Sequence, residues 1–179
     1  MSSTSILVAG FGGQGILFAG KQLALAGMYL DKKVTWMPSY GPESRGGTSN
    51  CTVIISDEDI GSPIIANPDI LIVMNLPSYI KFHGAITKSG KLFCDSSLVS
   101  EKSERDDIEK FYIPATAIAY KHSMPKLANV IMLGKVLAET NIFTVDELVA
   151  SMEKSISSSK KDLLDANIKA LGLGFEYKE

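Results

Sequence analysis

Two glycine-rich stretches carry the residue types best placed for chemistry. The first is Gly10-Phe11-Gly12-Gly13-Gln14-Gly15, directly after the apolar run Ile6-Leu7-Val8-Ala9. Gly10, Gly12 and Gly15 satisfy the spacing G-x-G-x-x-G, and a helix-like segment follows. Small residues in such a turn let backbone N–H groups approach a pyrophosphate at a helix N-terminus. The second stretch, Ser39 to Asn50, contains Glu43, Arg45, Gly46 and Gly47 and follows Val34-Thr35-Trp36-Met37. A guanidinium among small polar residues suits phosphate or carboxylate, which it binds bidentately. Arg45 could equally pair with Glu43, meet a neighbouring chain or remain a solvated surface charge. Because each stretch starts where an apolar run ends, both belong at the carboxyl ends of strands, where open α/β sheets bind ligands.

A dinucleotide reading of the first stretch needs a carboxylate at the end of the second strand to hold a ribose hydroxyl. Asp31 precedes that strand, and its end reads Pro38-Ser39-Tyr40, so NAD or FAD is disfavoured. A tight turn serving only strand–helix packing remains open, since glycine suits such turns with or without a ligand.

The remaining sequence offers no self-contained catalytic constellation. It contains no P-loop, no H-E-x-x-H and no nucleophile elbow. His83 and His122 are the only histidines, and each is expected at the surface or a helix end. Cys51 and Cys94 lie far apart, in strand-like surroundings without a C-x-x-C, and read as buried apolar residues in a reducing cytoplasm. No residue is assigned a catalytic or metal-ligating role.

The elements that must position the two stretches alternate between strand and helix. Strands are expected at 5–9, 33–37, 51–56, 70–74, 91–95 and 111–113. Helices are expected at about 14–30, from Asn75 to Phe82, over 115–123, over 126–139, from Thr144 and over 160–171. Thr144 and Glu147 match a capping box. The link between the second and third strands contains no helix. Parallel neighbours need a crossover of a dozen or more residues, so the third strand is expected to run antiparallel. The fold class is therefore α/β, three layers α/β/α around a mainly parallel, mixed, Rossmann-like sheet. All 179 residues are read as one domain.

Composition narrows the function classes. A net charge of −2 argues against nucleic acid as a partner. No run of about 18 apolar residues suits a membrane span. The first residues lack a basic signal-peptide region, so a cytoplasmic location is expected.

Longer motifs point to a family. Gly10–Gly15 running into Ile16-Leu17-Phe18-Ala19-Gly20-Lys21 resembles the gamma subunit of 2-oxoacid:ferredoxin oxidoreductases. So does Pro38-Ser39-Tyr40-Gly41-Pro42-Glu43-Ser44-Arg45-Gly46-Gly47-Thr48, running into Cys51–Ser56. Ile60-Gly61-Ser62-Pro63 and Pro68-Asp69 through Ser78 extend the likeness, which is strongest over residues 5–100. The resemblance implies a subunit acting with alpha, beta and ferredoxin-like delta subunits. Such complexes convert a 2-oxoacid, CoA and oxidised ferredoxin into acyl-CoA, carbon dioxide and reduced ferredoxin. Thiamine diphosphate and iron–sulfur clusters would belong to the partner subunits, and CoA to a site shared with this chain. Carried over, Gly10, Gly12, Gly13, Gln14 and Gly15 would face CoA phosphates. Arg45, Gly46 and Gly47 would face CoA or a partner chain. The Ser-Tyr-Gly-Pro-Glu form of the second motif looks more like the 2-oxoglutarate or branched-chain branch than the pyruvate one. Two alternatives remain at this point: a stand-alone nucleotide-binding Rossmann domain, or an assembly subunit with no ligand of its own.

Overall fold

Short, β-branched, almost uncharged runs fold into the central strands of one six-stranded sheet. The computed structural model describes residues 3–40, 48–155 and 161–178. The strands are β1 (Ser3–Phe11), β2 (Lys33–Tyr40), β3 (Thr48–Ser56), β4 (Ile70–Val73), β5 (Lys91–Asp95) and β6 (Glu109–Ile113). The helices are α1 (Ile16–Tyr29), α2 (Leu76–Phe82), α3 (Ala115–Lys121), α4 (Ala128–Glu139), α5 (Val145–Ser155) and α6 (Lys161–Phe175).

The sheet order is β2-β3-β1-β4-β5-β6. β1, β4, β5 and β6 run parallel, and β3 is antiparallel to both β1 and β2. The antiparallel third strand expected from the helix-free link is thus observed, and the sheet is mixed. Several strand ends differ from expectation, three of them at the glycine-rich stretches. Gly10 and Phe11 lie in β1, opposite Ser49 and Thr48 of β3. Ser39, Tyr40, Ser49 and Asn50 likewise belong to the β2–β3 ladder. The ladder wins here because antiparallel pairing satisfies backbone groups that a loop would leave to water. Of the second glycine-rich stretch, residues 41–47, including Arg45, Gly46 and Gly47, lie outside the described residues.

Side-chain alternation sorts the core into two unequal layers. On one face Ile6 and Val8 of β1, Cys51, Val53 and Ile55 of β3, Ile70 and Ile72 of β4 and Phe93 of β5 meet helices α1, α4, α5 and α6. α4 and α6 meet backbone to backbone. A Cβ at Gly174 would land on the Ile131 carbonyl, and one at Gly134 on the Leu171 carbonyl. Lys135, buried beside them, is held by Glu139 at 2.5 Å and by the Tyr177 carbonyl at 3.2 Å. On the other face Leu7, Leu71, Val73, Leu92 and Cys94 are covered by Tyr79, Ile86, Val99 and Ile108. Its cover is the seven-residue α2 and the connections around it.

Several local expectations appear as built. The capping box is complete: Thr144 N donates to Glu147 Oε2 at 2.8 Å, and Glu147 N to Thr144 Oγ1 at 3.2 Å. His83 and His122 are the C-caps of α2 and α3. Cys51 and Cys94 are free and fully buried. Desolvation pushes Cys51 up to about 11 and Cys94 up to about 12. The helix expected over 126–139 begins instead with a single 3₁₀ turn, Pro125–Leu127, and α4 starts at Ala128.

Candidate functional site

Chain direction singles out one crevice. β1 leads through α1 to β2 on one side, whereas β4 leads through α2 to β5 on the other. α1 and α2 pack on opposite faces of the sheet. The order therefore reverses between the adjacent strands β1 and β4, and the crevice at their carboxyl ends is the favoured ligand position in such sheets. The turn Phe11–Gly15 and the pair Met74-Asn75 form it.

Left-handed backbone makes the turn. Gly13 has φ +98° and Gly15 φ +73°, values that suit glycine and strain other residues. Gly15 is the N-cap of α1 and supplies no side chain to its first-turn amides. Those amides have no partner within the helix and carry the positive end of its dipole. Gly12 and Gly13 are exposed, and nothing lies within 4 Å of where a Cβ on Gly13 would sit. Gly15 is different. A Cβ there would strike the Asn129 side chain, whose Nδ2 donates to the Gly15 carbonyl at 3.0 Å. Asn129 is buried in α4 and fixes the turn against the helical layer.

Gln14 holds the two sides of the crevice together. Its Oε1 accepts from Phe11 N at 2.6 Å, and its Nε2 donates to the Met74 carbonyl at 2.8 Å. Asn75 Nδ2 reaches the same Oε1 at 3.4 Å, and Asn75 Oδ1 caps α2 by accepting from Ser78 N at 2.9 Å. The Gln14 amide is thus committed to the scaffold, and the exposed backbone of Gly12 and Gly13 is what faces outward. Gly10 lies beneath, in β1, where a Cβ would press on Gln14 and Ile16.

Asn75 and Asn129 were not singled out as site residues from sequence. Asn75 had a signal, since it follows the apolar run of β4 and precedes Pro77-Ser78 as a helix cap would. Asn129 had none, because its partner lies 114 residues away. One strand further along, buried Asp95 accepts from Ser97 N at 3.0 Å and Thr116 Oγ1 at 2.5 Å. It ties the end of β5 to the start of α3.

A second concavity, of about 740 Å³, lies away from this crevice, between Leu30, Lys32, the 140–147 connection and Phe175. Two of its charged groups are occupied: Lys32 pairs with Asp57, and Glu147 completes the α5 cap. Among the described residues no group of three or more His, Cys, Asp or Glu could hold a metal. No helix among them is long and apolar enough to cross a membrane.

The strand order also tests the dinucleotide reading. β3 stands between β1 and β2, so the end of β2 sits two strand spacings, about 10 Å, from β1. A ribose held at the end of an adjacent second strand has no counterpart here.

Residues 5–177 match the family model described as pyruvate ferredoxin/flavodoxin oxidoreductase. The chain belongs to this family. It is 39% identical over 175 residues to 2-oxoglutarate synthase subunit KorC of Methanocaldococcus jannaschii, covering 96% of this chain and 91% of that one. It is 36% identical to ketoisovalerate oxidoreductase subunit VorA of Methanothermobacter marburgensis, covering 96% of this chain and 36% of VorA. The chain thus spans little more than a third of VorA. A solved gamma subunit of a keto/oxoacid ferredoxin oxidoreductase from Geobacter sulfurreducens aligns with TM-score 0.85 and 26% identity, over 98% of this chain and 96% of that one. The same fold recurs in a 2-oxoglutarate:ferredoxin oxidoreductase from Magnetococcus marinus, with TM-score 0.88 and 21% identity, over 98% of this chain and 31% of that one. The motif resemblance to gamma subunits agrees with these matches.

Proposed function

We propose that this chain is the gamma-type subunit of a CoA-dependent 2-oxoacid:ferredoxin oxidoreductase, and that the Gly12–Gly15 turn at the start of α1 meets CoA phosphates. The observation that carries the subunit assignment is the match to KorC along nearly the full length of both chains. The turn supports the ligand assignment. It offers exposed backbone, the positive end of a 14-residue helix and no competing side chain at the N-cap. The Magnetococcus enzyme, which contains the same fold, was solved with 2-oxoglutarate, coenzyme A and succinyl-CoA bound. In this reading thiamine diphosphate and the iron–sulfur clusters sit on the alpha, beta and ferredoxin-like delta subunits. Arg45, Gly46 and Gly47 are the second contact, to CoA or to a partner. The 2-oxoacid is 2-oxoglutarate or a branched-chain acid, as in KorC and VorA.

The test uses the assembled complex. Gly15→Val is a poor probe, because Asn129 and the positive φ make it a folding variant. Gly12→Asp places a carboxylate where a phosphate is expected, and at a helix N-terminus that charge does not oppose the helix. We expect normal assembly, an unchanged KM for the 2-oxoacid and a KM for CoA raised about tenfold or more, equivalent to at least about 1.4 kcal/mol. An assembled variant with an unaltered KM for CoA removes the turn from the CoA site.

A further inference from the structure

We infer that the α2 side of the sheet, over β2 and β3, is the docking surface for the polypeptide that corresponds to the remaining two-thirds of VorA-type chains. This rests on the subunit reading above and goes beyond it by naming the surface. The ladder register places Thr35, Met37 and Ser39 of edge strand β2 on one face, opposite Ile54, Thr52 and Asn50 of β3. That is the face of Leu7 in β1, because Thr52 is also opposite Leu7. α2 rests on β4 and β1, so among the described residues no helix packs over β2 and β3 on this side.

The strip is chemically unlike an ordinary wet surface. Thr35, Met37, Ser39, Thr48, Asn50 and Thr52 carry no charge, in a chain that is 21% charged; Ile54 beside them is already buried, and the charge on this face of β2 is Lys33 at its far end, paired with Asp59. Exposed edge strands are usually protected by charge, whereas interface centres are depleted of it. Met37 is 40% exposed, and the Thr52 hydroxyl is buried without a partner among the described residues. Two further large apolar side chains border the same side. Ile80 projects from α2 at 64% exposure. Ile64, 74% exposed, lies on the 57–69 connection, which Asn67 ties to the Ala85 carbonyl just after α2.

The relatives indicate the occupant. The same fold is 36% of VorA and 31% of the Magnetococcus chain, so there it is tethered to about twice its own mass of further polypeptide. A permanently tethered neighbour matches an uncharged, partly apolar face that a free chain would leave wet.

The experiment co-expresses this chain with the chain of the same genome that is homologous to the rest of VorA, and measures recovery of the pair. The double variant Met37→Arg, Ile80→Glu should cut recovery about tenfold or more, because unpaired charges would be buried at the contact. Met28→Arg, on a residue of α1 across the sheet that is about as exposed as Ile80, should leave recovery unchanged. The isolated variants should keep their thermal midpoints within about 2 °C. Hydrogen exchange of β2 and β3 amides in the unaltered chain should slow on assembly, a readout that stands even if a variant misfolds. Normal recovery of the double variant, equal loss with Met28→Arg, unchanged exchange, or a variant that instead dissociates a homodimer of the isolated chain each overturns the surface. If the unaltered chain recovers no partner at all, the subunit reading itself fails.

Discussion

The two sides of this sheet are built to different standards of closure. On one side α1, α4, α5 and α6 cover β1, β3, β4 and β5 with aliphatic side chains and bring two helix backbones into contact. On the other, seven residues of α2 and the surrounding connections cover β1, β4 and β5, and among the described residues no helix packs on β2 and β3. Both sides share the same strands, which show alternate residues to each face. The thick side completes a domain core from within the chain, while the thin side leaves area for something else to finish.

The largest test falls on the thick side. Gly174→Val puts a branched side chain into the Ile131 backbone, which side-chain repacking cannot relieve. We expect a loss at or beyond the top of the roughly 1–3 kcal/mol range for overpacking, read as a fall in the urea midpoint. A change under about 1 kcal/mol would mean that α4 and α6 can slide apart and that the thick layer is looser than it looks.

A smaller contrast compares truncations across the sheet. Leu133→Ala in α4 and Ile86→Ala beside α2 both remove buried aliphatic atoms. Truncations of this kind cost about 2–5 kcal/mol, depending on how well the site collapses. Leu133 should fall near the upper end and Ile86 near the lower, because a connection relaxes more easily than packed helices. Equal losses in equilibrium unfolding would erase the proposed difference in rigidity.

The cysteines give the smallest and most local test. Cys51 belongs to the thick side and Cys94 to the thin side. Burial raises Cys51 to about 11 and Cys94 to about 12 from 9.0, so both thiols stay protonated in the folded chain at pH 8. Their stabilising contribution is present below pH 9 and is lost as pH climbs through 11 and 12. Alkylation at pH 8 therefore requires opening, and Cys94 should label faster than Cys51 despite its higher value. Faster labelling of Cys51 would reverse the comparison.

Much of the thick side was readable in advance. Leu127, Val130, Ile131, Leu133 and Leu137 recur at helical spacing, and the Thr144–Glu147 box marked its helix to within a residue. The antiparallel β3 followed from a connection that contains no crossover helix. The site was legible in its glycines but not in its supports. Gly13 and Gly15 announce positive φ, whereas Asn129 reaches Gly15 across 114 residues with no local signal. The motif makes Gln14 a ligand contact, whereas the structure gives its side-chain amide to Phe11 and Met74, a pairing only the β1–β4 adjacency reveals. Gly10 looked like loop because glycine is rare inside strands, but its pairing with Ser49 decides otherwise.

The position of β1 has a consequence for synthesis. β1 is flanked by β3 and β4, so it cannot be enclosed until the ribosome has made Val73, 64 residues after Ala9. At roughly 5–20 residues per second this takes about 3–13 s, and release of the chain from the exit tunnel adds to it. Until β3 is complete at Ser56, Ile6-Leu7-Val8-Ala9 has no native neighbour to pair with, and from Ser56 to Val73 it is paired on its β3 side only. The β2–β3 hairpin, by contrast, needs only residues 33–56 and can form before β4 exists. The nascent chain thus makes its outer ribbon first and then admits its oldest strand to the middle. This order leaves β1 an open sheet edge until β4 arrives.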